Sequence, residues 1–281
     1  MARKILFSAA DLRSAQQNSE CVTVDCRFNL SDPAAGLTSY LESHIPGAVY
    51  ANLDDDLSSP ITNISGRHPL PDAHDFALFL ARVGWCPGKL LVAYDDAGGM
   101  IAARLWWLMK YFGHDCAVLL DGGLGAWRRA GFSLESGNVE FARGNPVVLR
   151  PNDDLVLSTS EVIEGLDRHE ILLADARAYE RFTGAVEPLD SVAGHISGAV
   201  NFPFSEHLSD DATLKPLDEL RGRLQGLCHG MATHNLVHMC GSGVTACFNI
   251  FVSELAGLKG SKLYAGSWSE WIRDPSRAVE R

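Results

Sequence analysis

The sequence predicts an α/β protein of two similar domains, each a mainly parallel sheet flanked by helices. Short apolar or β-branched runs alternate with helix-forming segments, a pattern typical of parallel sheets covered by helices. The second half repeats the motif order of the first, with a period far longer than that of solenoid repeats. The 281 residues, 46% of them hydrophobic, suffice for two domains with ordinary cores.

The first half contains the elements of one such domain. Ser8 is expected to cap a helix close to the start of the chain. Apolar and β-branched runs predict strands, and apolar residues at helical spacing predict the helices between them. The predicted strands are residues 21–25, a run ending at Tyr50, 89–94 and 117–120, and the predicted helices are residues 73–83, 100–112 and a short one in the segment 121–127.

The second half repeats these motifs in the same order. Because an Asp-x-Arg sequence recurs, we interpret Arg27 and Arg177 as partners of a nearby Asp in a scaffold ion pair. The corresponding segments are 25–27 and 175–177, 44–50 and 195–201, 91–95 and 236–240, and 119–127 and 263–271. We therefore predict domains at residues 1–142 and 155–281, joined by a polar linker at residues 143–154 that contains proline and glycine.

The thiol of Cys240 is the strongest candidate for chemistry. An apolar run ends at this cysteine, and a Gly-Ser-Gly turn then leads into a helix-forming segment that Gly257 ends. The loop amides and the helix N-terminus favour negative charge at that point, and the glycines beside Ser242 let backbone amides converge. Cys240 is therefore predicted to be a thiolate nucleophile, with a buried structural cysteine as the alternative.

The repeat provides an internal control for this prediction. The first half has Asp95 at the position of Cys240, followed by a second acid, Asp96. A carboxylate cannot act as a sulfur nucleophile. We therefore predict that residues 1–142 form a catalytically inactive domain with a structural role, contributing one wall of a cleft between the domains.

Charge and cysteine content exclude several functions. The net charge of −11, without a cluster of Lys and Arg, argues against nucleic acids and anionic membranes as partners. A small anionic substrate would have to be bound by local groups. Seven scattered cysteines without a C-x-x-C pair suggest reduced thiols in a cytoplasmic protein. We also expect no signal peptide and no membrane span, because no apolar run reaches about 20 residues.

The combined motifs resemble the tandem-domain rhodanese-family sulfurtransferases, and the resemblance covers nearly the whole chain. It is carried by the two Asp-x-Arg strands, the two His-Ile-x-Gly-Ala turns, and the segments 103–107, 120–124 and 266–271. The loop Cys240-Gly-Ser-Gly-Val-Thr245 is similar to that of the 3-mercaptopyruvate branch. Thiosulfate-preferring members have basic residues directly after the cysteine, where this chain has Gly241 and Ser242.

This resemblance implies covalent catalysis by Cys240 without a metal or another cofactor. The thiolate would take the sulfane sulfur of a small anionic donor as a persulfide and pass it to a thiol acceptor such as thioredoxin, or to cyanide. Substrate and persulfide would lie against the loop amides. The loop residues assigned to this binding are Gly241, Gly243, Val244 and Thr245.

The resemblance also assigns side chains outside the loop. Arg181 matches the family arginine that binds the donor carboxylate. Ser242, with His68 and Asp54 from the first domain, matches a triad that helps to protonate the leaving enolate.

One family feature has no counterpart at the expected place. Members of the mercaptopyruvate branch usually carry a second arginine after a Glu-Pro, but here Glu187-Pro188 is followed by Leu189 and Asp190. The preferred donor therefore stays open.

Three alternatives can be weighed on the sequence. A cysteine phosphatase needs an arginine six positions after the nucleophile, and position 246 is alanine. A thiosulfate:cyanide sulfurtransferase would use the same persulfide, and a non-catalytic sulfur-carrier module would lack turnover. We predict that His238 packs in the core rather than pairing with Cys240 or binding a metal with His234. Cys247 is likewise predicted to be buried rather than a resolving cysteine.

Overall fold

A computed structural model describes residues 4–140 and 144–281, which form two compact units. The first unit comprises the described residues of Met1–Ser59, Pro71–Pro151 and Ser209–Leu214. The second comprises Pro60–Leu70, Asn152–Leu208 and Lys215–Arg281. Within the described ranges, no helix is long and apolar enough to cross a membrane.

The first unit is a five-stranded parallel sheet with helices between its strands, in the strand order β1-β5-β4-β2-β3. Ser8 caps the first helix through a capping box with Asp11, as its sequence position predicts. In chain order the elements are β1 Leu6–Phe7, α1 Ala9–Gln17, β2 Cys21–Asp25, α2 Ala35–Glu42, β3 Ala48–Tyr50, α3 Ala73–Arg82, β4 Leu90–Tyr94, α4 Ala102–Tyr111, β5 Ala117–Leu120 and α5 Gly123–Arg129.

The second unit repeats this architecture around a parallel sheet of order β10-β9-β6-β8, with a separate antiparallel pair, β11 and β7. Single 3₁₀ turns at Asp153–Leu155, Phe204–His207 and Thr233–Asn235 connect its elements. These are α6 Thr159–Asp167, β6 Leu172–Asp175, α7 Tyr179–Phe182, β7 His195–Ile196, β8 Val200–Asn201, α8 Leu217–Cys228, β9 Leu236–Met239, α9 Thr245–Leu255, β10 Lys262–Leu263, α10 Ser267–Trp271 and β11 Val279–Glu280. The predicted fold class is confirmed.

The compact units depart from the predicted contiguous ranges in two segments. Residues 60–70 pack with the second unit, where the Arg67 N–H donates to Ser269 Oγ at 2.9 Å. Residues 209–214 pack with the first unit, where the Leu214 N–H donates to Asp121 Oδ1 at 2.9 Å. Contacts between residues distant in sequence decide both assignments. The predicted boundary between residues 142 and 143 lies outside the described residues.

The recurring Asp-x-Arg motif forms a buried ion pair in each unit, as predicted. Arg27 Nε and Nη2 bind the carboxylate of Asp25 at 2.7 to 3.0 Å. Arg177 binds Asp175 in the same way at 2.6 to 3.1 Å. These bidentate bonds satisfy charges that are withdrawn from water at the carboxyl ends of the strands.

Two buried histidines make the stability of the second unit sensitive to pH. His238 lies fully buried on β9, which confirms its predicted core role, and His207 is equally buried. Burial lowers the pKa of both side chains to about 3, aided by the charge of Arg223 at His207 and by His207 at His238. Both rings are therefore neutral in the folded protein at neutral pH.

We expect stability to fall as the solution is acidified below about pH 6.5, the pKa of a histidine in the unfolded chain. Between about pH 3 and 6.5 unfolding takes up protons, so each histidine lowers the unfolding free energy by up to about 1.4 kcal/mol per pH unit as pH drops. Urea unfolding of the wild type and of His207→Gln across this range measures the slope. The slope of the unfolding free energy against pH should be smaller in the variant by the contribution of one histidine. An unchanged slope would contradict the lowered pKa of His207.

Candidate functional site

The Cys240 loop leaves the carboxyl end of β9, an interior strand of the second sheet, and enters α9 at Thr245. Leu236–Met239 are buried, which fixes the start of the loop, and the chain then turns at Gly243. Gly243 has a φ of 74°, and a Cβ there would lie 2.4 Å from the carbonyl oxygen of Ala265. Only glycine fits this position.

The segment at the start of α10 holds the backbone of Cys240 and Gly241. The Cys240 N–H donates to Ser267 Oγ at 3.1 Å, and its carbonyl accepts from the Trp268 N–H at 3.0 Å. The Gly241 carbonyl accepts from the Ser269 N–H at 2.9 Å. Ser267 takes a left-handed φ of 52°, a conformation that costs energy for a side-chain-bearing residue. The nucleophile candidate is therefore rigidly positioned, and Cys240 is 3% exposed.

Ser242 and His68, two members of the predicted triad, are in contact. His68 Nδ1 and Ser242 Oγ lie 2.7 Å apart, and both residues are buried. Residues 60–70 belong to the same compact unit as Cys240, so this contact lies within one unit rather than joining residues of separate domains.

Asp54, the third predicted member of the triad, lies in the first unit. Its N–H donates to Asn52 Oδ1 at 2.8 Å. Burial, with the charge of Asp55, raises the pKa of its carboxyl. Its assignment to the triad stays a prediction.

Arg181 lies at the end of α7, with its guanidinium held by two buried carboxylates. Its Nε and Nη2 bind both oxygens of Glu187 at 2.8 to 3.2 Å, and Nη2 also donates to Asp190 Oδ2 at 3.0 Å. Glu187 also accepts hydrogen bonds from the backbone N–H groups of Leu189 and Asp190, and these bonds hold the turn at residues 187–190.

Arg67 is a site residue that the sequence reasoning did not identify. Its Nη1 donates to Asp190 Oδ1 at 2.6 Å, so that Asp190 bridges the guanidiniums of Arg67 and Arg181. Gly66 packs so closely on Gly266 that a Cβ on Gly66 would lie 2.6 Å from the carbonyl oxygen of Gly266, and this packing holds the backbone next to Arg67 in place. Residues 189 and 190 have no cationic side chain, and Arg67 is a second arginine that the structure brings to Asp190 and Arg181. The position of Arg67 directly before His68 was the available signal.

Both guanidiniums approach Gly241, the residue that follows Cys240. A Cβ built on Gly241 would lie 3.2 Å from Arg67 Nη2, and 3.6 and 3.7 Å from Arg181 Nη1 and Nη2. Arg67 Nε is buried without a hydrogen-bond partner in the described part of the chain. A side chain at residue 241 would crowd these donors, so glycine leaves a space where two cations face the Cys240 loop.

The remaining predicted loop residues form the entrance to α9. Val244 is its N-cap residue and Thr245 its first residue, and Cys247 Sγ donates to the Gly243 carbonyl at 3.3 Å. Cys247 is fully buried, as predicted. Ala246, also fully buried, has no side chain that could hold a phosphate. Across residues 4–140 and 144–281, no group of three or more His, Cys, Asp or Glu could hold a metal ion.

The equivalent loop of the first unit shows what this loop type can bind. The buried carboxylate of Asp95 accepts four backbone N–H groups at 2.8 to 2.9 Å. Burial raises the pKa of Asp95, and these four hydrogen bonds act in the opposite direction. The donors are the amides of Ala97, Gly99, Ile101 and Ala102. A strand–loop–helix turn of this kind can therefore surround an anionic side chain at its first position with amides.

Comparisons with known proteins agree with these observations. A family model described as the rhodanese-like domain matches residues 8–130 and 158–274. The chain is 43% identical to a protein of Pseudomonas aeruginosa named "Probable 3-mercaptopyruvate sulfurtransferase", over 99% of both chains. It is 31% identical to the thiosulfate sulfurtransferase of Rattus norvegicus, over 94% of this chain and 89% of that protein.

A solved structure matches both halves of the chain as well. The 3-mercaptopyruvate sulfurtransferase of Leishmania major superposes with a TM-score of 0.85 at 30% identity. The match covers 97% of this chain and 76% of that one.

Proposed function

Since the chain belongs to the rhodanese-like family of tandem-domain sulfurtransferases, we propose that it moves a sulfur atom from 3-mercaptopyruvate through a persulfide on Cys240 to a thiol acceptor. The observation that supports this proposal is the loop of the first unit, in which the buried carboxylate of Asp95 accepts four backbone N–H groups. Cys240 has the equivalent position in the second unit, between β9 and α9. The second domain would thus be catalytic and the first inactive.

The first half-reaction forms the persulfide. The Cys240 thiolate attacks the donor sulfur, an S–S bond forms, and the donor C–S bond breaks with its electron pair moving to carbon. The carbon fragment leaves as the enolate of pyruvate and takes up a proton, while the donor thiol loses one. Loop amides at residues 241–245 would stabilise the persulfide anion without a metal.

The second half-reaction restores the enzyme. A thiolate attacks the outer sulfur of the persulfide, a new S–S bond forms, and Cys240 leaves as a thiolate. The acceptor would be a thiol such as that of thioredoxin in a reducing cytoplasm, and cyanide could serve in its place. Since the sulfur leaves with the acceptor, no oxidant is required.

Arg181 and Arg67 would bind the donor carboxylate. Glu187 and Asp190 occupy Nε and Nη2 of Arg181 and Nη1 of Arg67, so Arg181 Nη1 and Arg67 Nη2 stay available beside Gly241. Planar guanidiniums suit a carboxylate because each can donate two parallel hydrogen bonds. This geometry favours an α-keto acid whose sulfur reaches Cys240.

Ser242 and His68 favour mercaptopyruvate over thiosulfate as the donor. Their hydrogen-bonded pair could carry the proton that the departing enolate needs. Sulfite, the leaving group of thiosulfate, needs no proton on carbon. Thiosulfate:cyanide transfer is the second candidate, because two guanidiniums also fit an oxygen-rich sulfur anion.

A single-turnover assay tests the proposal. Reduced enzyme mixed with excess 3-mercaptopyruvate and no acceptor should release one pyruvate per active site and then stop, because each persulfide must be discharged before the next cycle. Addition of a thiol should restart pyruvate release. Release of sulfite from thiosulfate without release of pyruvate from mercaptopyruvate would favour the second candidate. If neither product is released, the remaining interpretation is a non-catalytic sulfur carrier.

A further inference from the structure

Asp190 takes part in the site in a way that the donor chemistry alone does not require. Its carboxylate is 4% exposed and joins the two donor-facing cations, with Oδ1 on Arg67 Nη1 at 2.6 Å and Oδ2 on Arg181 Nη2 at 3.0 Å. A negative charge is thus fixed between the two groups that would receive the donor anion.

Orientation of Arg181 does not depend on Asp190. Glu187 alone binds Arg181 Nε and Nη2 through both carboxylate oxygens. The backbone of Arg67 is held separately, because its N–H donates to Ser269 Oγ. At Arg181 the contribution of Asp190 that Glu187 does not duplicate is its charge, whereas at Arg67 Asp190 also accepts a hydrogen bond from the guanidinium.

Charge is balanced in this cluster. Three arginines face three carboxylates, because Arg177 pairs with Asp175 and also approaches Glu187 at 3.5 Å. The whole chain carries −11. A donor anion thus meets hydrogen-bond donors without a net positive charge behind them, and desolvation costs a doubly charged anion more than a singly charged one.

We propose that Asp190 sets the charge selectivity of the donor site, favouring singly charged carboxylate donors over doubly charged thiosulfate. The inference rests on the proposed function of the Cys240 site. Its physical basis is that the Coulomb energy between Asp190 and a donor is proportional to the charge of the donor. The repulsion from Asp190 is therefore twice as large for thiosulfate as for mercaptopyruvate held at the same distance.

The variant Asp190→Asn removes this charge and keeps the shape of the side chain. An asparagine Oδ1 can still accept from Arg67 Nη1, so the guanidinium keeps a hydrogen-bond partner. We expect kcat/KM to rise about threefold for mercaptopyruvate and about tenfold for thiosulfate, since the second factor is the square of the first. Both gains should shrink at high salt, where screening weakens the interaction.

The ratio of the two kcat/KM values is the decisive quantity, because both are measured on one preparation and any loss of folded protein cancels. Asp218→Asn is the matched control. It removes the charge of an exposed Asp that pairs with Arg221, and it should leave the ratio unchanged. A fall in kcat/KM for both donors, or an equal change for both, would overturn the proposal and make Asp190 a positioning residue.

Alkylation separates this inference from the proposed function. Cys240 Sγ displaces iodide from iodoacetate, which is singly charged, and from neutral iodoacetamide. Mass spectrometry of the peptides gives the alkylation rate with iodoacetate divided by the rate with iodoacetamide at Cys240, with the exposed Cys86 as an internal reference. Asp190→Asn should raise this iodoacetate-to-iodoacetamide ratio about threefold at Cys240 and leave it unchanged at Cys86. This result stands even if the wild type transfers no sulfur, whereas an unchanged ratio at Cys240 contradicts the role of Asp190.

Discussion

Replacement of Cys240 by serine is expected to abolish sulfur transfer from every donor, with a loss of at least about 10⁴-fold in kcat. A serine hydroxyl is not ionised at neutral pH and cannot hold sulfur as a persulfide. The fold should persist, because the loop is held through the backbone N–H and carbonyl of residue 240 and the carbonyl of residue 241. Steady-state assays with mercaptopyruvate and thiosulfate measure the loss, and the thermal midpoint reports the fold.

Cys86→Ser is the matched control for this variant. Cys86 is an exposed cysteine of the first unit, and its replacement should change neither activity nor the thermal midpoint. Substantial activity in Cys240→Ser at an unchanged midpoint would mean that another group receives the sulfur.

Ser242→Ala should produce the second-largest effect, a fall of about 10²-fold in kcat with mercaptopyruvate and little change with thiosulfate. The hydroxyl lies 2.7 Å from His68 Nδ1, and only the enolate leaving group needs the proton that this pair could carry. His68→Asn should give a similar fall, and the double variant should lose little more, because the two residues would act as one unit.

The donor dependence distinguishes this role from a structural one. Ser261→Ala, which removes another buried serine hydroxyl of the second unit, should leave the mercaptopyruvate-to-thiosulfate ratio unchanged. If Ser242→Ala lowers kcat equally for both donors, the hydroxyl supports the loop rather than proton transfer.

Local patterns accounted for most of the fold. Strands at Cys21–Asp25 and Ala117–Leu120 have the predicted bounds because each is a short apolar or β-branched run that ends at an aspartate or directly before one. The helix at Ala102–Tyr111 lies within the predicted range 100–112. These elements are determined by residues close in sequence, and the repeat supported each prediction with a second copy.

The site was predictable where one motif contains it. Cys240, Ser242 and Gly243 lie within four residues of sequence, so their loop could be inferred, and Asp175 and Arg177 are two residues apart. Arg67 could not be predicted in this way, because its hydrogen bond to Asp190 joins residues 123 positions apart in the sequence. No periodicity or spacing encodes such a contact, which arises from the close packing of Gly66 on Gly266.

The same reason explains the segment 60–70. Its position in the chain assigns it to the first domain, but its contacts to Ser269 and Ser242 assign it to the second unit. The local sequence motif therefore lacks an arginine at residues 189 and 190, although a guanidinium from a distant part of the sequence, that of Arg67, lies next to Asp190.

The proposed function requires Cys240 to carry the transferred sulfur. This role is tested by the mass of the Cys240 peptide after a single turnover with 3-mercaptopyruvate, compared with the pyruvate released. We expect a mass increase of one sulfur atom on Cys240, in equal amount to pyruvate, and its loss on addition of a thiol. Pyruvate release with the added sulfur on a different cysteine, or on none, would contradict it.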